Sequence, residues 1–433
     1  MRIKSIKIEN LFEIFDYDIS FANNENVLII TGPNGFGKTM ILNIIFNLFN
    51  RKFQFFKTLV FDKISIVLDD AYSIVILKEN KNDKQSVKII FLNDDNEIGS
   101  FDYSDKLEED VERKIERYLP IRRVGPKKWI NHNTDEIQTM DDILNIYADQ
   151  FPEEIGKNLF RIDSEKINKI LDSIKVHLIK EQRLFRKVLN MERNYRQDKD
   201  QTIIIETIQT YAEELKKIIA FNLQESFKIS QELDSSYPNR LVQATNKLTA
   251  EEYAARFEIL ENKQQKLAKN GLYKSERQFL RYSQDDSKAL SVYLNDLDKK
   301  LSIFDGLVEK LDLFTGILNE RRFTFKKIQI DREKGFYFKT DKGKELELNQ
   351  LSSGEQHEVV ILYELIFKAT QNTLVLIDEP EISLHITWQK EFLNDLLRII
   401  KIQNIQVIIA THAPSIINDR WDLVYNLEKV SSK

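Results

Sequence analysis

Apolar residues recur along this chain with three different periods, and each period predicts a different kind of element. Over roughly the first 95 residues they alternate with polar ones or form short unbroken runs. Ile3, Ile6 and Ile8 have polar neighbours, and Tyr17 to Phe21 can pair with them as a hairpin. Val27-Leu28-Ile29-Ile30 is a wholly apolar strand. Met40 to Phe49 then reads as a helix, with Ile41, Leu42, Ile44, Ile45 and Leu48 on its inner side. Ile64 to Leu68, Ser73 to Leu77 and Val87 to Phe91 predict an antiparallel meander.

From about residue 100 to 325 the pattern turns helical and polar. Leu290, Leu294, Leu297, Leu301, Phe304, Val308, Leu311, Thr315 and Leu318 step alternately by four and three, as a and d positions on one long helix. The seam spans roughly 40–50 Å. It is either a coiled-coil packing face or the buried side of a helix in a globular helical domain. An earlier helix, with Tyr253, Phe257, Leu260 and Leu267 on one side and ended by Gly271, is its expected partner. After residue 323 the β/α signal returns. Phe323-Thr324-Phe325, Ile328-Gln329-Ile330 and Gly335 to Phe338 are strand-like, followed by a helix, a buried strand over 373–377, a second helix and the strand Gln406 to Ala410. The expected organisation is a head made of residues 1–98 and 323–433, divided by a helical insertion over 99–322.

Composition narrows this picture. No apolar run approaches the roughly 20 residues of a membrane-spanning helix, so no membrane segment is expected. The first residues lack a secretory apolar region. With no cysteine, neither a disulfide nor a thiolate metal site can form, and the cytoplasm is the simplest compartment. A formal net charge of −5 argues against a strongly basic nucleic-acid binder. Two local basic groups remain: Arg183, Arg186, Lys187, Arg193 and Arg196, and Arg122-Arg123 with Lys127-Lys128. Each is a candidate DNA contact or a solvated face.

The chemistry is concentrated in a few short motifs. Gly32 to Thr39 fits G-x-x-x-x-G-K-T between a strand and a helix, the context this phosphate-binding loop requires. Backbone N–H groups around Asn34, Gly35, Gly37 and Met40 would cradle ATP phosphates at the helix N-terminus. Lys38 would reach the β- and γ-phosphates and assist catalysis, and the Thr39 hydroxyl would ligate Mg²⁺. Asp378 ends the apolar run Leu374 to Ile377, where a Mg²⁺ carboxylate is expected. Its neighbour Glu379 points differently and is the candidate general base.

Leu351-Ser352-Ser353-Gly354-Glu355-Gln356, with a helix after it, resembles the signature of ABC-type ATPases. That resemblance implies that Ser352 and Gly354, with Glu355 beside them, contact the γ-phosphate held by the opposite subunit. Ser353 stands where many members have Gly. Glu381-Ile382-Ser383-Leu384-His385 resembles the D-loop that links the two sites, and His412, after Ile408-Ile409-Ala410-Thr411, matches the switch histidine, a further catalytic residue. In Val176 to Leu184, Gln182 is the candidate Q-loop glutamine linking Mg²⁺ to the insertion; a plain strand-to-helix junction is the other reading. Asn10, Phe12 and Phe15 are either adenine contacts or core.

Together the motifs resemble the ABC-type ATPases related to RecF, SMC and the OLD nucleases. The implied fold class is α/β, an ABC-type ATPase head of mixed sheet and flanking helices, split by a large helical insertion with a short coiled-coil-like arm. Within the insertion, Gln231 to Arg240 and Gln182-Arg183-Leu184 look like compact antiphage defence ATPases, first those of PARIS and then of Septu systems. OLD nucleases carry a TOPRIM domain after the ATPase, for which the residues after His412 leave no space. The resemblance thus implies an ATP-dependent homodimer of heads or a higher homo-oligomer, a phage-derived trigger, and a separate effector such as a TOPRIM or HNH nuclease. A RecF-like repair or chromosome-maintenance ATPase that binds DNA is the second reading. A transporter subunit fits the insertion poorly.

Overall fold

The computed structural model describes residues 1–21, 25–69, 71–81, 84–103, 121–125, 128–131, 137–138, 162, 164–181, 183–189, 202–245, 247–273, 281–382 and 384–429. These form two compact units: Met1–Ile205 with Lys368–Lys433, and Glu206–Phe367. Gln182, Lys127, Arg193 and Arg196 lie outside the described residues.

The first unit begins β1 (Ile3–Leu11), β2 (Phe15–Ser20), β3 (Val27–Thr31), α1 (Lys38–Phe49) and α2 (Gln54–Thr58). Next come β4 (Lys63–Leu68), β5 (Tyr72–Lys81), β6 (Lys84–Asn93) and β7 (Asn96–Tyr103). The expected meander is therefore present and one strand longer, in a six-stranded sheet ordered β2-β1-β4-β5-β6-β7. The short strands β8 (Ile121–Gly125), β9 (Lys128–Asn131) and β10 (Ile137–Gln138) make a separate sheet. They precede α3 (Glu165–Asp172), β11 (Lys175–Ile179), β12 (Phe185–Leu189) and β13 (Thr202–Glu206).

The second unit holds α4 (Thr207–Gln243), α5 (Ala250–Lys269), α6 (Ser287–Ser302) and α7 (Asp305–Ile317). After them come β14 (Lys326–Asp331), β15 (Gly335–Thr340), β16 (Glu345–Leu346) and α8 (Ser353–Tyr363). The first unit then resumes with β17 (Thr373–Asp378), α9 (Ile386–Gln403), β18 (Gln406–Ala410), α10 (Pro414–Ile417) and β19 (Val424–Asn426). Among the described residues no helix is long and apolar enough to cross a membrane.

The sheet that positions the site is ordered β11-β17-β18-β3-β19, and its neighbouring strands all pair in parallel. Parallel strands are covered on both faces, which explains why Val27 to Ile30, Leu374 to Ile377 and Val407 to Ala410 are continuous apolar runs, all buried. Register aligns their carboxyl ends: Asp378 pairs with Ala410, and Ala410 with Ile30. The inner positions expected of α1 are all 0% exposed.

Some expectations change. Residues between 100 and 205 are not uniformly helical; they supply β11, a member of the central sheet, along with β8, β9, β10, β12 and β13. The compact units are bounded at Ile205/Glu206 and Phe367/Lys368. Phe323 to Phe325 is not a strand: Phe325 has φ +64° and a largely exposed ring.

The seam from Leu290 to Leu318 does not run on one helix. The ladder breaks between α6 and α7, where the Phe304 N–H turns to Leu301 O at 3.0 Å. Both junction residues keep right-handed backbone, so the heptad stays in phase and most seam positions remain buried. α6 packs against α4 and α5, and the expected Tyr253, Leu260 and Leu267 of α5 are buried. α5 opens with a Thr249/Glu252 capping box. It closes where expected: Gly271 N–H returns to Ala268 O and Leu272 N–H to Leu267 O.

The Gln231 to Arg240 motif has a packing explanation. Pro238 sits inside α4 and cannot donate a hydrogen bond to the preceding turn. Arg240 reaches back to Leu233 O at 2.6 Å and to Ser236 Oγ at 3.0 Å, and its guanidinium grips both oxygens of Asp296 on α6. A bidentate pair of this kind fixes direction as well as distance. Towards the other end of α4, the helix lies against β15 so closely that a Cβ on Gly335 (φ +72°) would stand 1.9 Å from Ala212 O. Only glycine fits there.

Candidate active site

The strand order places the loop after β3, the turn after β17 and the turn after β18 along one edge of the parallel sheet. Ligands of open α/β sheets bind beyond the carboxyl ends of the strands.

Gly37 caps α1 with φ +82°, a left-handed conformation that turns the chain into the helix. The helix starts two residues earlier than expected, so Lys38 and Thr39 form its first turn. Lys38 is buried, and its ammonium donates to Gly32 O at 2.8 Å and Pro33 O at 3.3 Å, spanning the base of its own loop. Asn34 and Gly35 are exposed at the loop crest. Met40 is half-buried and packs on the core, as do Phe12, Phe15 and Phe36. Phe15 contacts both Tyr17 and Phe36, with ring centroids 5.6 and 5.3 Å away. This is the packing expected of core aromatics.

The Thr39 hydroxyl donates to Asp378 Oδ1 at 3.1 Å, joining the loop to the end of β17. Burial pushes the Asp378 carboxyl up to about 6; the Glu379 and Glu181 charges add to this, while the Thr39 donor and Lys38 oppose it. A hydroxyl and a carboxylate crowded by other acids form a hard oxygen donor set. Such a set fits Mg²⁺, which takes few protein ligands and shares the rest with phosphates and water.

Glu379 has φ +44°, a strained backbone for a non-glycine residue, held by its N–H bond to Ala410 O at 2.9 Å. That turn aims its side chain differently from Asp378. Glu379 Oε1 lies 3.5 Å from His412 Nδ1, and Glu381 Oε1 is also 3.5 Å from that nitrogen. Glu381 is buried and accepts from Thr411 Oγ1 at 2.7 Å and from the His412 N–H at 3.1 Å. The His412 side chain is 49% exposed.

Lys38, Thr39, Asp378, Glu379 and His412 thus converge within the first unit. Ser352, Gly354 and Glu355 stand at the start of α8 in the second unit. Ser352 caps this helix: its hydroxyl donates to Glu355 Oε2 at 2.9 Å and accepts the Glu355 N–H at 3.4 Å. Lys326 Nζ reaches both Glu355 oxygens at 2.7 and 2.8 Å. Burial works to raise the Glu355 carboxyl, but Lys326 and Ser352 outweigh it and hold the group below its ordinary value.

Two residues gain a place that sequence reading did not give them. Arg183, grouped there with a basic stripe, is buried, and its guanidinium donates to Pro380 O at 3.2 Å and Ile382 O at 3.4 Å. It is not part of a basic surface. Glu381, read only as one letter of the D-loop region, is the buried partner of Thr411 and His412.

A family model described as an AAA ATPase domain matches residues 1–417. No curated protein sequence matches the chain. Among solved structures it is similar to the Smc head domain of Pyrococcus furiosus with an extended coiled coil, bound to the C-terminal domain of ScpA (13% identity, 96% of this chain and 91% of that one, TM-score 0.35). It is also similar to an Smc head bound to the C-winged helix domain of ScpA (10%, 96% and 91%, TM-score 0.36). A third is the SMC head domain from Thermotoga maritima (12%, 98% and 94%, TM-score 0.32).

Proposed function

The chain belongs to the AAA ATPase domain family, and from that premise we propose that it hydrolyses ATP at the carboxyl edge of its parallel sheet, with Mg²⁺. The observation that carries this reading is the convergence of Lys38, Thr39, Asp378, Glu379 and His412 on that edge.

In this reading the loop N–H groups and Lys38 bind the triphosphate, Lys38 exchanging its carbonyl partners for phosphate oxygens. Thr39 and Asp378 hold the Mg²⁺, which neutralises phosphate charge. Glu379 takes the proton of the attacking water. His412 meets the γ-phosphate from the β18 turn. Ser352, Gly354 and Glu355 of a second copy complete the site, so ATP holds two heads together. In support, the Ser352 cap presents a helix N-terminus, a feature suited to an anion.

The finer role we assign is an antiphage sensor whose nucleotide state controls a separate effector, a nuclease of TOPRIM or HNH type. It rests on the sequence resemblance of the Gln231 to Arg240 and Gln182 to Leu184 segments. Copurification of Glu379→Gln protein with ATP and Mg²⁺, expressed beside its neighbouring genes, tests it. A stoichiometric nuclease-like partner is the expected result; bound DNA without a protein partner would instead favour the RecF-like reading.

A further inference from the structure

Glu381 has no part in the chemistry outlined above, yet it is among the most tightly enclosed charges of the site, with its side chain 7% exposed. One oxygen carries all its bonds: Oε1 accepts from Thr411 Oγ1 and the His412 N–H, and faces His412 Nδ1. The other, Oε2, is buried with no hydrogen-bond partner among the described residues. Enclosing a carboxylate this way is costly unless its charge serves something. Among the described residues, the basic side chain that faces it is His412, with Nδ1 3.5 Å from Oε1.

We propose that Glu381 is a positioning residue for the ATPase reaction: it holds the His412 ring with the Nδ1 proton turned inward and Nε2 presented to the γ-phosphate. An imidazole whose Nδ1–H is held by a carboxylate keeps one tautomer and one orientation. Glu379 stands at the same distance from Nδ1 but cannot do this work throughout a cycle. It is the more exposed of the two carboxylates, sits on a strained turn, and must be free to take a proton from water. Glu381 is pinned by two hydrogen bonds in a buried turn. Thr411 extends the frame, since its hydroxyl also accepts the Ala413 N–H at 3.0 Å. One carboxylate is therefore free to leave the ring while the other keeps it in place.

The proposal rests on the ATPase reading, and two measurements separate their failures. First, nitrogen-15 spectra of histidine-labelled, nucleotide-free protein at a pH where the ring is neutral, assigned with His412→Gln, should show His412 as the Nδ1–H tautomer. The same spectra of Glu381→Gln should show it shifting toward Nε2–H. An Nε2–H ring in the unmodified protein overturns the proposal whatever the turnover. Second, Glu381→Gln and Glu381→Ala should lower kcat by about 10–100-fold while leaving ATP affinity within about twofold of the parent. Glu381→Asp should restore part of the loss. Unchanged kcat in both variants overturns the proposal. Absence of turnover in the unmodified protein would instead remove the ATPase reading, and the ring spectra would still decide the role of Glu381.

Discussion

Asp378 carries a conflict that its position explains. Its carboxyl is pushed up to about 6, first by burial, so the folded state binds its proton more tightly than the unfolded chain does. The stability this contributes is present in full below the ordinary carboxylate range and is lost as pH rises through about 6. Asp378→Asn in nucleotide-free protein should therefore melt higher than the parent at pH 8, with the difference shrinking toward pH 4. Thermal melts across that range check it; a variant that melts lower at pH 8 would contradict the burial argument. Stability gained at the expense of function is the usual outcome when an active-site charge is removed. Lys38→Ala should abolish ATP binding measured by calorimetry, because its ammonium is the cation held at the base of the loop by the Gly32 and Pro33 carbonyls. At this scale the glycine-rich loop and the Asp378-Glu379 pair were legible, since a fixed spacing follows a buried strand. Glu381 and Arg183 were not. An acid or a cation in a polar stretch resembles any surface charge until tertiary packing shows that Thr411 and the carbonyls of Pro380 and Ile382 enclose it.

Among the elements, β3, β17, β18 and α1 could be read because burial on both faces, or along one helical stripe, leaves a periodic trace. The break between α6 and α7 could not, because Ile303 and Phe304 keep right-handed backbone and carry the heptad across it. β11 was visible as a short apolar strand but not as a member of the central sheet, which depends on a partner, β17, nearly 200 positions further along the chain. The Arg240 clamp is the clearest case of a motif whose purpose is packing. Arg240→Ala should cost on the order of 1–3 kcal/mol by chemical denaturation, with the loss shared by Asp296→Ala in a double-mutant cycle. Strict additivity of the two would argue that the pair contributes nothing. Gly335→Ala should be worse tolerated than an ordinary surface change, because its Cβ has no room beside Ala212 O.

For the whole molecule, the division into two units assigns the phosphate loop, the Asp378-Glu379 pair and His412 to one and the Ser352 helix to the other. ATP held between copies would join unlike surfaces, so mass action should favour a dimer when nucleotide is bound and turnover is blocked. Light scattering of Glu379→Gln should give a monomer-to-dimer mass change with ATP and Mg²⁺ that Ser352→Arg removes. Binding to DNA draws less support than the charge runs suggested. One candidate stripe loses Arg183 to the interior, while Arg122, Arg123 and Lys128 remain exposed. The most direct test of the central claim compares ATP binding and turnover of the parent with those of Glu379→Gln. The expected result is a parent that hydrolyses ATP and a variant that binds it with similar affinity but turns over at least about 100-fold more slowly. A variant that hydrolyses ATP at the parental rate would remove Glu379 as the base and contradict the account.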